Sequence, residues 1–176
     1  LAHMGALHAG LSSVPVNFHL NAEEAAYILN DSGTRLLFTG PENLERAVDA
    51  VAQLPVPIPV VVWRAEGSLP AGVESLESLL AASSDAEPID DVPPRPNMLY
   101  TSGTTGFPKG VDLPPTMFAG GKNIAEHIAV LATNRFASLG VHLVVGPMYH
   151  TGPLSGVRIL ATGTPVVIIE KFDPER

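Results

Sequence analysis

LYTSGTTGFPKGV, residues 99–111, places a loop rich in glycine and threonine directly after an apolar dipeptide. A strand followed by a glycine-rich turn presents backbone N–H groups to phosphate, because glycine permits positive φ and close approach. Hydroxyl groups add donors, and Lys109 adds a positive charge. Pro108 before this lysine excludes a Walker loop, and Tyr100 in the first glycine position excludes a GxSxG elbow. The stretch predicts a phosphate-binding loop of another kind, with an exposed turn as the alternative.

Helix and strand patterns alternate on both sides of this loop. Before it, the patterns predict helix 1–10, strand 13–18, a capped helix from Asn21 to before Gly33, strand 35–39, a helix opened by Pro41, and strand 58–64. After residue 96 they predict strand 97–102, helix 114–132, strand 141–149, helix 153–162 and strand 164–172. This order indicates an α/β fold with mostly parallel sheets flanked by helices.

Residues 83–97 differ from the rest of the chain, since they carry four acidic residues and four prolines with almost no apolar pattern. We interpret them as an acidic, proline-rich connection between an α/β segment at 1–82 and a second α/β segment at 98–176, which carries the loop. Asp90 and Asp91 are expected to form a solvated turn rather than a metal pair.

Composition limits the possible partners. The net charge is −8 and there is no cluster of Lys or Arg, so a nucleic-acid partner is not expected. Cysteine is absent, which excludes disulfides and thiol nucleophiles. The longest apolar run, at 55–63, is short and broken by prolines, so no integral membrane segment is expected and a cytoplasmic setting is the default.

The quoted loop carries a family resemblance. TSGTTGFPKG (101–110) resembles the signature of the adenylate-forming enzymes, which include acyl-CoA synthetases, the adenylation domains of peptide synthetases and beetle luciferases. Residues 9–40 and 146–175 are similar to further family segments, so the resemblance covers essentially the whole chain. PVNF (15–18) and PMYHTG (147–152) look most like fatty-acyl-CoA synthetases. The resemblance implies that the chain is part of the large amino-terminal domain of such an enzyme.

Site residues follow from the resemblance. The residues that would bind the β- and γ-phosphates of ATP are Thr101, Ser102, Gly103, Thr104, Thr105, Gly106 and Lys109. Thr101 would also help to position Mg²⁺. The substrate segment, where the ATP site meets the acyl pocket, would be Tyr149, His150, Thr151 and Gly152. Lys109 and His150 would be catalytic, with a histidine bonded to the backbone as the alternative for His150.

The implied reaction begins with attack of a carboxylate, such as a fatty acid, on the α-phosphate of ATP, which yields an acyl-adenylate and pyrophosphate. The thiol of CoA then displaces AMP. Such chemistry depends on holding two anions together and neutralising charge, and a flexible donor loop with one lysine and Mg²⁺ suits it.

Some family motifs do not occur in these 176 residues. They are a Tyr-Gly-x-Thr-Glu segment, a Thr-Gly-Asp segment, the hinge and the lysine of the carboxy-terminal domain. We therefore expect an amino-terminal portion that is inactive alone. Because charged residues make up only 16% of the chain, against ~25% in typical domains, self-association or pairing with the rest of its own chain is also expected. The alternatives are a non-catalytic nucleotide-binding remnant and an inert truncation product.

Overall fold

The computed structural model describes residues 1–101, 106–111, 113, 120–133, 140–169 and 173. In these residues the helices are α1 (Ala2–His8), α2 (Ala22–Asp31), α3 (Leu44–Ala52), α4 (Leu76–Ala82), α5 (Ile124–Ala132) and α6 (Thr151–Val157). Short 3₁₀ helices span Pro41–Asn43 and Arg158–Thr162. The strands are β1 (Leu37–Thr39), β2 (Val60–Val62), β3 (Val73–Ser75), β4 (Leu99–Thr101), β5 (Lys109–Val111), β6 (His142–Val144) and β7 (Val166–Ile168).

The chain forms two compact units. The first unit contains residues 1–15, 88–99 and 111–176, and the second unit contains residues 16–87 and 100–110. Each unit therefore draws on segments that are distant in sequence.

A parallel sheet of order β1-β2-β3 forms the centre of the second unit. Val61 on β2 pairs with Phe38 on one side and Glu74 on the other. All three valines of β2 are buried, as predicted for a continuously apolar central strand. The prediction of a parallel sheet is confirmed, although the strand β3 was not predicted.

The predicted strand at 13–18 is wrong, because residues 11–17 have no regular structure. Within the described residues, the Ser13 carbonyl accepts a single backbone bond from the Met98 N–H, at 3.0 Å, instead of taking part in a ladder. Pro15 has no N–H to donate, so an alternating apolar pattern around it cannot form a regular ladder.

Helix α2 begins as the sequence predicts. The Asn21 side chain accepts a bond from the Glu24 N–H, and the Glu24 carboxylate accepts one from the Asn21 N–H, both at 2.9 Å. This capping box satisfies two amide groups that the first turn would leave unpaired. Ala26 and Leu29 then pack on α3 and β2, in a core completed by Ala47, Ala50, Val51 and Val60.

The helix predicted at 114–132 starts later than expected, at Ile124. Residues 114–119 lie outside the described residues, and residues 120–123 are not helical. Gly121 has φ +92°, which a right-handed helix does not allow, and Asn123 caps the helix by accepting a bond from the Glu126 N–H. The Gly120–Gly121 pair and the Asn123 cap therefore place the start of this helix at Ile124.

In the first unit, β6 and β7 pair in parallel, with Leu143 opposite Val167. Both strands are shorter than predicted, and the end of the second prediction, at 170–172, lies outside the described residues. The helix predicted at 153–162 consists of α6 followed by a 3₁₀ turn. In the described part of the chain, no helix is long and apolar enough to cross a membrane.

Candidate functional site

The two sides of the glycine- and threonine-rich loop meet in a two-stranded sheet of β4 and β5. Thr101 ends β4 and Lys109 begins β5, and both are exposed. The predicted site residues Ser102, Gly103, Thr104 and Thr105 lie outside the described residues. The described part of the loop therefore presents a hydroxyl at one end and an ammonium group at the other.

Gly106 and Lys109 are both exposed and have the properties that a phosphate-binding loop would need. Gly106 has φ +145°, a conformation that side-chain-bearing residues rarely adopt, and a Cβ built on it would have no atom of the described residues within 4 Å. This space leaves the backbone open to close approach by an anion. Among the described residues, Lys109 forms no ion pair.

Two aromatic residues beside the loop attach it to α2. The Tyr100 hydroxyl donates a 2.6 Å hydrogen bond to Asp31 Oδ2. The ring of Phe107 stacks on that of Tyr27, with centroids 4.7 Å apart and planes at 23°. Burial, together with the bond to Asp31, raises the pKa of the Tyr100 phenol, so this group is a donor at neutral pH. These contacts were not predicted.

The second group of predicted residues, 149–152, connects β6 to α6 in the first unit. His150 is the N-cap residue of α6, where its N–H bonds to the Pro147 carbonyl and its carbonyl accepts from the Leu154 N–H. The exposed imidazole makes no cap hydrogen bond and lies 4.6 Å from the Tyr149 ring, at 50°. Thr151 and Gly152 form the first turn of the helix.

Thr101, Gly106 and Lys109 come together in the second unit, whereas Tyr149–Gly152 come together in the first unit. Each group therefore lies within a single unit. The roles of both groups in binding ATP, Mg²⁺ or an acyl substrate stay predictions.

A buried group of basic side chains in the first unit was also not predicted. His127 is 1% exposed and Arg158 is 5% exposed. His127 Nδ1 lies 2.9 Å from the Gly120 carbonyl, so it donates and leaves Nε2 unprotonated in the neutral ring. Arg158 donates to the Arg95 carbonyl at 3.0 Å. Burial lowers the pKa of His127, the hydrogen bond to Gly120 opposes this in part, and the nearby Arg158 charge adds to the lowering.

His3 belongs to the same unit. Its Nδ1 lies 3.1 Å from Ser13 Oγ, and burial lowers its pKa to about 4, with further contributions from Arg158 and the amino terminus. The position of His127 three residues after Ile124 places it on the buried face of α5, a spacing that could have indicated its burial. The described residues contain no cluster of three or more His, Cys, Asp or Glu side chains suited to a metal ion.

Comparison with known proteins gives a family match over the whole chain. The family model of the AMP-binding enzymes matches residues 1–176. A sulfoacetate–CoA ligase of Cupriavidus necator is 32% identical over 96% of this chain and 32% of its own length. The long-chain-fatty-acid–CoA ligase FadD13 of Mycobacterium tuberculosis is 31% identical, with the same coverage of both chains. The chain thus spans about a third of the length of the curated relatives it matches.

The fold also matches a solved structure. The inhibitor-bound N-terminal domain of FACL13 from Mycobacterium tuberculosis superposes with a TM-score of 0.68 and 24% identity, over 97% of this chain and 41% of that domain. The predicted α/β fold, with parallel sheets flanked by helices as in this amino-terminal domain, is confirmed.

Proposed function

Because the chain belongs to the AMP-binding enzyme family, we propose that it is the amino-terminal portion of an AMP-forming acid–thiol ligase. In the proposed reaction, a carboxylate oxygen forms a bond to the α-phosphorus of ATP as the bond to pyrophosphate breaks. The CoA sulfur then forms a bond to the acyl carbon as AMP leaves. The observation that carries this proposal is the family match over all 176 residues.

The loop between β4 and β5 is proposed to hold the β- and γ-phosphates. Lys109, exposed and without an ion pair among the described residues, offsets the charge that grows as pyrophosphate leaves. Gly106 leaves room for a phosphate to approach the backbone. Mg²⁺, when bound, would supply further charge neutralisation, and Thr101 is the residue proposed to help hold it. The hydroxyls and N–H groups of residues 102–105 complete the proposed set.

His150 is proposed to orient the reacting carboxylate. Its imidazole is exposed and makes no hydrogen bond within the described residues, so both ring nitrogens are available to a ligand. Tyr149 limits the rotation of the ring by packing against it. Thr151 and Gly152 contribute the amide groups of the first turn of α6. This arrangement supports positioning rather than covalent catalysis.

A fatty acid is the proposed carboxylate, on the strength of the segments PVNF and PMYHTG. The relatives named above differ in their acids, since one is a sulfoacetate ligase and another a long-chain-fatty-acid ligase. The substrate class is therefore the part of the proposal that most needs a direct test.

Binding of MgATP to the 176-residue chain tests the loop. We expect Lys109→Ala to weaken MgATP binding at least tenfold in isothermal titration calorimetry, a loss of about 1.4 kcal/mol. Lys122→Ala is the matched control, because Lys122 is also exposed but lies outside the loop, and it should leave the affinity unchanged. Equal affinities for the parent chain and Lys109→Ala would contradict the proposed role of the loop.

Exchange of labelled pyrophosphate into ATP tests the reaction. The assay uses dodecanoate, benzoate and sulfoacetate, with the 176-residue chain and with any longer product that contains it. We expect no exchange from the chain alone, and dodecanoate-dependent exchange from a longer product. Exchange by the chain alone would contradict its proposed incompleteness, and a preference for sulfoacetate or benzoate would exclude the fatty-acid assignment.

A further inference from the structure

Helix α2 holds both ends of the loop. Tyr100 comes directly before the loop segment 101–106, and Phe107 comes directly after it. Tyr100 bonds to Asp31 and Phe107 stacks on Tyr27, so each end reaches the same helix. Tyr27 and Asp31 are four residues apart, and such residues are neighbours on one helix face with Cβ atoms about 6 Å apart. The two attachment points are thus about one helical turn apart.

The two contacts differ in kind. The Tyr100–Asp31 bond, at 2.6 Å, has the short length of an O–H group donating to a carboxylate, which is stronger than a bond between neutral groups. The Tyr27–Phe107 pair has the centroid spacing of an offset stack, although Phe107 remains 61% exposed. The hydrogen bond constrains the position of Tyr100, before the loop. The stacked ring constrains the orientation of Phe107, after it.

Helix α2 is itself held in place by its cap and by buried side chains. The capping box orders its first turn, and Ala26 and Leu29 are buried against α3 and the sheet. Tyr27 and Asp31 lie on a different face of the helix from these buried residues. A loop attached at both ends to such a helix loses less conformational freedom when a ligand binds, which favours binding.

We propose that Tyr27 and Asp31 are positioning residues, which hold the two ends of the phosphate loop through Phe107 and Tyr100 before the nucleotide binds. The part that concerns the nucleotide rests on the function proposed above. Neither residue belongs to the predicted site, and neither needs to touch the ligand to act in this way.

Trypsin cleavage after Lys109 tests the attachment without nucleotide. Cleavage after Arg64, an exposed residue of the same unit, is the internal reference. We expect Tyr100→Phe and Asp31→Ala each to raise the relative rate after Lys109 about fivefold, or about 1 kcal/mol. The double variant should show the same fivefold rise, because both changes remove the same Tyr100–Asp31 hydrogen bond. Asp31→Asn, which keeps an acceptor oxygen, should give an intermediate rate.

Asp49→Ala, on the exposed side of α3, is the matched control and should leave the rate unchanged. Multiplied effects of about 25-fold in the double variant, or no change in the single variants, would overturn the proposal. Thermal unfolding of each variant accompanies the assay. A rise in cleavage after Arg64 as large as that after Lys109 would indicate general destabilisation and would also overturn it.

The affinity for MgATP tests the second contact. Tyr27→Leu removes the stack and should weaken binding about fivefold, whereas Tyr27→Phe keeps the ring and should preserve the parent affinity. Equal affinities for the two variants would overturn the positioning role of Tyr27. A parent chain that binds no MgATP would contradict the proposed function. The trypsin assay on the single and double variants would still decide whether α2 holds the loop.

Discussion

Gly146 and Pro153 approach so closely that a Cβ built on Gly146 would lie 2.7 Å from Pro153 Cγ. Gly146 follows β6 and Pro153 lies in the first turn of α6, so the contact closes the segment that contains Tyr149 and His150. The absence of a side chain at position 146 therefore determines how near α6 can start to the end of the strand.

Gly146→Ala should lower the free energy of unfolding by about 1–3 kcal/mol, because the new methyl group must displace a proline ring. Gly152→Ala is the control. In the described part of the chain a Cβ there meets no atom within 4 Å, and alanine favours the helix, so this change should raise stability by about 0.5 kcal/mol. Urea unfolding measures both. Equal destabilisation by the two changes would contradict the role of the Gly146–Pro153 contact.

Acid should destabilise the protein in part through His3. Its pKa is lowered from 6.5 to about 4, so between these values the unfolded chain binds more protons than the folded chain. Stability is therefore lost as the pH falls through this window. The loss from His3 should be roughly 2 kcal/mol between pH 7 and pH 5. The positive charge of Arg158 adds to the lowering of this pKa.

Urea unfolding of His3→Gln from pH 7 to pH 5 measures this contribution. The variant should show a shallower loss of stability than the parent, because it has no imidazole to protonate. The exposed His19 provides the control variant His19→Gln, which should follow the parent curve. A His3→Gln curve parallel to that of the parent would show that the burial of His3 is not coupled to pH.

Loss of the α2 cap should cost stability. Asn21→Ala removes the acceptor for the Glu24 N–H and should lower the free energy of unfolding by about 1 kcal/mol. Asn43→Ala is a matched control, since Asn43 precedes α3 without a side-chain cap bond, and its effect should be below half of that. Similar losses for the two variants in thermal unfolding would indicate that the capping box contributes little.

Local patterns could be predicted from the sequence where neighbouring residues determine the structure. The capping box at Asn21 and the buried strand at Val60–Val62 were predicted in place, because cap chemistry and continuous β-branched residues are local features. The strand Val73–Ser75 was missed, since it is short, carries a glutamate at its centre and forms by pairing with β2. Pairing of this kind depends on residues elsewhere in the chain.

The candidate site divides in the same way. The loop motif could be recognised from consecutive residues, whereas its attachment to α2 could not, because Tyr100 and Asp31 are 69 positions apart. Neither residue differs in type from an ordinary surface residue. The buried Arg158 was missed for a related reason, since its acceptors at Arg95 and Asn97 come from a segment interpreted as a surface connection.

The order of the segments of the second unit along the chain has a consequence for how the unit folds during synthesis. Its sheet and helices lie within residues 16–87, whereas its last segment is 100–110. During translation, α2, α3 and the three strands emerge from the ribosome before Tyr100 and Phe107 emerge, so they are the first parts of the unit that are free to fold. We therefore expect the loop to join a helix that has already folded, so that the contacts to Tyr27 and Asp31 are among the last that the unit forms.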